Sequence, residues 1–87
     1  MNNAIMRTVD VTTEWAALSS GSMRFSGTIS ALPANAAAVE FRSRTDADGE
    51  SVNWIAGEYH DFNGVDLATI QIKGQAGDKV TLVGGTW

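Results

Sequence analysis

The fold is decided by the stretch Thr69-Ile70-Gln71-Ile72-Lys73-Gly74-Gln75-Ala76-Gly77-Asp78-Lys79-Val80-Thr81-Leu82-Val83. Apolar and polar residues alternate in two runs of this stretch, 69–73 and 79–83. Alternation with a period of two is typical of strands that bury one face, and the glycines between the runs favour a turn. The sequence therefore predicts a β-hairpin over residues 69–83.

The register of this predicted hairpin follows from its apolar residues. Pairing Lys73 with Lys79 leaves residues 74–78 as the loop. The apolar residues of both runs then lie on one face, as the cross-strand pairs Ile72–Val80 and Ile70–Leu82. A shift of one residue would mix apolar and polar side chains on both faces, so this register is preferred.

The rest of the chain also predicts short strands separated by turn residues. Strands are expected over residues 4–12, 23–30, 38–42, 51–55 and 58–62, with a short strand or one helical turn at 12–18. Ala56-Gly57 and Asn63-Gly64 are turn signals, and Gly27 within a strand indicates a bulge or a close backbone approach. About seven or eight strands with turns at short intervals predict an all-β fold, a small antiparallel β-sandwich or a jelly-roll-like barrel.

The length predicts one domain over residues 1–87, in which residues 1–4 are a loose N-terminal arm. Small domains bury little surface and are commonly stabilised by disulfides, metals or association. The chain has no cysteine, and no set of metal-ligating residues is evident. Association with copies of itself or with another protein is therefore expected.

The charge of the chain argues against nucleic acid as a partner. Ten acidic and six basic residues give a net charge of −4, and the basic residues are scattered, whereas phosphate binding needs a concentrated positive patch. No apolar run approaches the length of a membrane span, so no membrane partner is expected. Residues 1–7 do not resemble a secretory leader, which predicts synthesis and retention in the cytoplasm unless a larger assembly carries the protein out.

Two features could indicate a calcium site or a catalytic site, but a solvated turn and a surface histidine explain them better. With Gly49 at the sixth position of a calcium loop, Arg44 and Ile55 would occupy ligand positions, so the acidic segment 46–50 is expected to be a solvated turn. His60 stands beside Asp61, but neighbours on a strand point to opposite faces, which argues against a catalytic dyad. We therefore expect no enzyme activity, no metal and no cofactor, with His60 as a surface or contact residue.

The three tryptophans predict either a core or a binding surface. Trp15 and Trp54 are expected to anchor the core, because an indole buries a large area. Trp87 follows Gly84-Gly85-Thr86 and either closes the bottom of the domain or packs against a neighbouring chain. In an alternative interpretation, Trp54, Tyr59 and Trp87 form a platform that stacks on sugar rings.

One long segment resembles small structural proteins of tailed bacteriophages. In those proteins a glycine-glutamate-aromatic turn precedes a short acidic-apolar segment and a hairpin with a lysine-glycine turn. The matching residues here are Ala56-Gly57-Glu58-Tyr59-His60-Asp61-Phe62, Gly64-Val65-Asp66-Leu67 and the run from Ile70 to Trp87, with a looser likeness over 26–43.

The resemblance implies a capsid decoration (cement) protein, a β domain that binds the outer surface of the phage head, commonly as a trimer. Its expected partners are the major capsid protein and further copies of itself. It would be made in the host cytoplasm and would act on the virion. The residues expected to make these contacts are Ile5, Arg7, Lys73, Lys79 and Trp87. A carbohydrate-binding β domain of a phage fibre or tail protein is the alternative.

Overall fold

The predicted all-β fold is confirmed. The computed structural model describes residues 3–44 and 51–86, which include eight strands and the 3-10 helix Leu67–Thr69. The strands are β1 (Ala4–Asp10), β2 (Ala16–Ala17), β3 (Arg24–Ala31), β4 (Val39–Ser43), β5 (Val52–Trp54), β6 (Tyr59–Asp66), β7 (Ile70–Lys73) and β8 (Lys79–Gly85). Within the described ranges, no helix is long and apolar enough to cross a membrane.

The strands form two four-stranded antiparallel sheets packed as a sandwich. Sheet 1 has the order β1-β8-β3-β6 and sheet 2 the order β2-β7-β4-β5. Neither sheet closes on itself or on the other, so the architecture is the predicted sandwich rather than a barrel. Each sheet ends in two edge strands, which carry backbone groups that no neighbouring strand covers.

The core lies between the sheets and is made by every second residue of the central strands. Phe25 and Ile29 of β3, together with Leu82 of β8, are fully buried, and Val39 and Phe41 of β4 face them as predicted. The other buried apolar residues are Ile5, Val11, Leu18, Ala31, Trp54, Leu67, Ile72 and Val80.

The predicted hairpin over residues 69–83 is wrong. Strand β7 pairs with β2 and β4 in sheet 2, whereas β8 pairs with β1 and β3 in sheet 1, so residues 74–78 cross from one sheet to the other as an arch. The apolar residues of both strands nevertheless face the core, because the two sheets bury opposing faces. Alternation therefore predicted burial correctly but could not identify the pairing partner.

Side-chain hydrogen bonds hold the arch in this position. The carboxylate of Asp78 is buried and accepts bonds from the backbone N–H groups of Ala36 (2.9 Å) and Ala37 (3.1 Å). The amide side chain of Asn35 donates to the carbonyl of Lys79 and accepts from its N–H, as a neighbouring strand would. The loop before β4 thus occupies the end of β8, where the hairpin would have placed Lys73.

The Asn63-Gly64 turn prediction is also wrong, since both residues lie within β6. They form a β-bulge opposite Ser26, whose hydroxyl accepts a bond from the Gly64 N–H (2.8 Å) and donates to the Asn63 carboxamide oxygen (3.2 Å). Gly64 has a φ of 68°, a conformation that glycine adopts without strain. The bulge and the adjacent Gly27 confirm the irregularity that was predicted in β3.

The predicted N-terminal arm does not include Asn3 and Ala4. Ala4 already belongs to β1, and Asn3 exchanges hydrogen bonds with Thr86, so both residues are held in place at sheet 1. The prediction of a loose arm over residues 1–4 is therefore wrong at Asn3 and Ala4, while Met1 and Asn2 lie outside the described residues. Segment 12–18 contains the short strand β2 rather than a helical turn.

Candidate functional site

The outer face of sheet 1 is the first candidate binding surface. Two cross-strand rows form its centre, and we call these residues the threonine face. They are Met6, Val83 and Thr28 in one row, which Asp61 ends on the edge strand β6, and Thr8, Thr81, Ser30 and Tyr59 in the other. Each of them alternates along its strand with a residue that faces the core side of the sheet, so strand periodicity alone directs them outward.

The threonine face is poor in charge and partly apolar. Met6 is 78%, Tyr59 64% and Val83 55% exposed, and Met6 and Val83 stand directly opposite each other on neighbouring strands. Charged groups lie at its margins: Asp61 accepts a bond from the Thr28 hydroxyl (2.6 Å), and Lys79 pairs with Asp10 (2.6 Å). Charge depletion with exposed Met and Tyr is typical of the centre of protein–protein interfaces.

A cleft between the edge strands β5 and β6 is the second candidate, which we call the edge cleft. Its apolar part has a volume of about 250 Å³ and is lined by Phe41, Arg42, Ser43, Val52, Trp54, Phe62 and Ile70. The Trp54 ring stacks on Phe41 with centroids 3.7 Å apart, and Phe62 lies 6.3 Å from Trp54 on the side of sheet 1. These aromatic rings fix the width of the cleft, because both sheets contribute to the same stack.

The other part of the edge cleft carries polar groups. It has a volume of about 500 Å³, with Asn53, Glu58, His60 and Asp61 beside Val52, Trp54 and Phe62. His60 Nε2 lies 2.7 Å from a Glu58 carboxylate oxygen, and the imidazole stands edge-on to Trp54 at 4.7 Å. The hydrogen bond from His60, and a second one from the Ile55 N–H, lower the pKa of Glu58.

Titratable groups in this part of the edge cleft have hydrogen-bond partners within the chain. His60 and Glu58 already bond each other, and both are substantially exposed to solvent. Asp61, which the sequence places beside His60, points to the outer face and bonds Thr28 instead. Among residues 3–44 and 51–86, no group of three or more His, Cys, Asp or Glu side chains is placed to hold a metal ion.

The structure does not bring the predicted contact residues together. Ile5 is only 6% exposed and belongs to the core, so its side chain offers little surface to a partner, and its contact role stays a prediction. Arg7 is exposed at the free edge of β1, and Lys79 lies at a margin of the threonine face. Trp87 lies outside the described residues.

The two lysines predicted to face each other are in different sheets. Lys79 is in sheet 1 beside Asp10, whereas Lys73 is in sheet 2 opposite Glu40. The Nζ atom of Lys73 is 5.1 Å from the centre of the Trp15 ring, and the Arg42 guanidinium is 4.2 Å from it. Trp15 is thus a half-buried residue covered by two cations, and its predicted place in the core is wrong.

The tryptophan platform is likewise not assembled as predicted. Trp54 is 5% exposed and lies in the core, as the first interpretation expected, while Tyr59 faces outward on sheet 1. The two rings therefore share no common surface. The acidic segment 46–50, like Trp87, lies outside the described residues.

The threonine face was not predicted from the sequence, although the alternation along β8 indicates its exposed side. Thr81 and Val83 share one parity along β8, and Val80 and Leu82 share the other. Val83 is an apolar residue on the exposed face of β8. It can be recognised as part of an apolar patch only once β1 is known to place the exposed Met6 opposite it.

Comparisons with known proteins do not identify a family for this chain. No protein-family model matches the chain, and neither a curated protein nor a solved structure matches it.

Proposed function

We propose that this protein is a non-enzymatic structural component of a phage particle, a decoration protein that binds the outer surface of the head. It bridges neighbouring subunits of the major capsid protein and reinforces their contacts. The resemblance of residues 56–87 to tailed-phage structural proteins supports the proposal. Much of this segment forms the framework, since residues 56–86 include β6, β7 and β8, which contribute to both sheets.

The observation that carries the proposal is the exposed apolar pair Met6 and Val83, on a face where Asp61 of the edge strand β6 is the one charged residue in the rows that contain them and the threonines. A sheet that only meets water normally carries Lys, Glu or Arg among its outward residues, because they keep the domain soluble. Here the two rows contain hydroxyl and apolar groups and one charge, Asp61, which lies on the edge strand β6. Such a face suits a flat protein shell, which offers backbone and side-chain hydrogen bonds over a broad area.

Binding to undecorated phage heads tests the proposal. A major capsid protein is to be sought among the reading frames that flank the gene, and expanded heads assembled from that protein would serve as the probe. We expect the chain to co-sediment with these heads and Val83→Glu to weaken binding at least about tenfold, because a charge would be buried against the shell. Val83 is 55% exposed, so the substitution should leave the fold intact.

A matched control exists on the other sheet. Val52 is 57% exposed on β5, and Val52→Glu makes the same chemical change away from the threonine face. Its binding to heads should equal that of the wild-type chain. Failure of the wild-type chain to bind such heads would refute the proposed function, and equal loss with both variants would refute the assignment to the threonine face.

Carbohydrate binding at the edge cleft is the second candidate. The polar part of the cleft places Glu58, His60 and Asn53 beside the Trp54 ring, and sugar hydroxyls bond such groups. Saturable quenching of tryptophan fluorescence by a glycan, lost in His60→Ala and retained in Val83→Glu, would support this candidate. A glycan array without specific signal would exclude it.

A further inference from the structure

We infer that copies of this chain associate head to tail by strand addition, with β1 of one copy joining the free edge of β6 of the next. The inference goes beyond binding to a phage head and does not depend on it. It rests on two free sheet edges whose exposed side chains complement each other.

Both edges present backbone groups to solvent. Thr86 N–H bonds Asn3 and Val11 N–H bonds Asp78, so the odd-numbered residues of β1 direct their backbone groups to β8. By the alternation of antiparallel pairing, Ala4, Met6 and Thr8 then direct theirs to the free edge. On β6, the bond from the Ala31 N–H to the Glu58 carbonyl shows that the even-numbered residues direct their backbone groups to β3. The backbone groups of Tyr59 and Asp61 are therefore directed to the free edge.

One antiparallel register makes the side chains of the two edges complementary. When Met6 stands opposite Tyr59 of the next copy, both exposed apolar side chains lie on the outer face of the joined sheet. The next pair in this register joins Arg7 to Glu58 on the inner side. A shift by two residues would instead set Met6 against Asp61, which leaves an apolar side chain against a carboxylate.

The charges of this register are also complementary. Arg7 is exposed, and it has no salt bridge to any residue within 3–44 and 51–86. Glu58 bonds His60 and the Ile55 N–H, and its side chain is 30% exposed. A guanidinium beside this carboxylate would form a charge-assisted pair in addition to the contact that Glu58 makes with His60.

Head-to-tail addition of this kind has a defined consequence for assembly. Because the two contacting surfaces differ, the contact is heterologous and repeats from copy to copy, closing a ring where the rotation allows. Sheet 1 then continues across the contact, and the threonine faces of adjacent copies lie side by side. A symmetric two-fold contact would pair two identical edges and leave the other kind of edge free, whereas this contact uses both the β1 edge and the β6 edge.

Charge reversal tests the inference without a phage partner. Sedimentation velocity of the wild-type chain from about 1 μM to about 1 mM should show mass that rises with concentration, the range expected for weak association. Arg7→Glu and Glu58→Arg should each lower the association constant about tenfold or more, since like charges would meet. An equimolar mixture of the two variants, and the double variant, should recover association, because opposite charges can again meet at the contact.

Two further variants separate side-chain from backbone effects. Met6→Pro removes an N–H that faces the free edge, which edge strands tolerate, and should abolish association while the far-ultraviolet circular dichroism is retained. Met6→Ala keeps that N–H and should retain part of the association.

Glu14→Arg is the charge control. It makes the same change as Glu58→Arg on the exposed segment after β1 and should associate as the wild type does. A wild-type chain that stays monomeric, or single variants whose mixture does not recover, would overturn the inference, whether or not the chain binds phage heads.

Discussion

Gly27 of β3 and Gly84 of β8 lie directly opposite each other in adjacent antiparallel strands, and their backbones approach too closely for any side chain between them. A Cβ atom on Gly84 would overlap the Ser26 carbonyl oxygen, and one on Gly27 would overlap that of Val83. Both clashes are with backbone, which cannot move aside as a flexible side chain can. The approach lies beside the β6 bulge, where β3 shifts its register.

The Gly84→Ala substitution is expected to destabilise the protein strongly. The added methyl group would force β3 and β8 apart in the centre of sheet 1, at a cost of about 3 kcal/mol or more in the free energy of unfolding. Urea denaturation measures this loss. Gly21→Ala is the control, because a Cβ there meets nothing within 4 Å, and its stability should stay within about 0.5 kcal/mol of wild type. Equal stability of the two variants would contradict the close approach.

The arch over residues 74–78 predicts a large effect at Asp78. Asp78→Ala removes the carboxylate that accepts bonds from the N–H groups of Ala36 and Ala37, and a hydrogen bond to a charged group contributes about 1.5–3 kcal/mol. We expect the free energy of unfolding to fall by about 2 kcal/mol or more by chemical denaturation. Gln75→Ala changes an exposed residue of the same arch and should have little effect. An Asp78→Ala protein as stable as the Gln75→Ala protein would show that these bonds do not hold the arch.

Acid should destabilise the fold through Asp66. Hydrogen bonds from the Met23 N–H, the Ser22 hydroxyl and the Ala68 N–H lower the pKa of this carboxyl group. Since the folded pKa lies below the unfolded one, about 3.9 for Asp, the stabilisation is fully present above that value. It is lost as the pH falls through the folded pKa.

The free energy of unfolding of wild type and Asp66→Asn, measured between about pH 6 and pH 2, tests this dependence. The variant should be less stable than wild type at the upper end and should lose less stability on acidification. Part of the slope will persist in the variant, because the pKa of Glu58 is lowered as well. Identical slopes in the two proteins would argue against a role for Asp66.

The two described tryptophans should differ in their contribution to stability. Trp54 is buried and stacks on Phe41, so Trp54→Ala should cost about 3–5 kcal/mol. Trp15 is half-buried beneath Arg42 and Lys73, and Trp15→Ala should cost clearly less, about 1–2 kcal/mol. Thermal or urea unfolding of both variants provides the comparison. Equal losses would contradict the placement of Trp15 outside the core.

Much of the secondary structure could be predicted because burial alternates within single strands. Phe25 and Ile29, or Val39 and Phe41, occupy alternate positions, and that local pattern specifies both the strand and its buried face. The proposed binding surface was harder to predict. Met6 and Val83 are distant in sequence, and only their cross-strand pairing makes an apolar patch out of two separate exposed residues.

The sequence by itself determined an all-β domain whose strand faces divide into buried and exposed sides, including the apolar faces of residues 70–73 and 79–83. The tertiary structure decided which strands pair. The stretch 69–83 is compatible with a hairpin and with an arch, because both bury the same side chains. Contacts from distant residues favour the arch: Asn35 pairs with the backbone of Lys79, and Asp78 accepts bonds from the loop before β4. Asn63-Gly64 likewise forms a bulge rather than a turn because Ser26, on another strand, bonds to both residues.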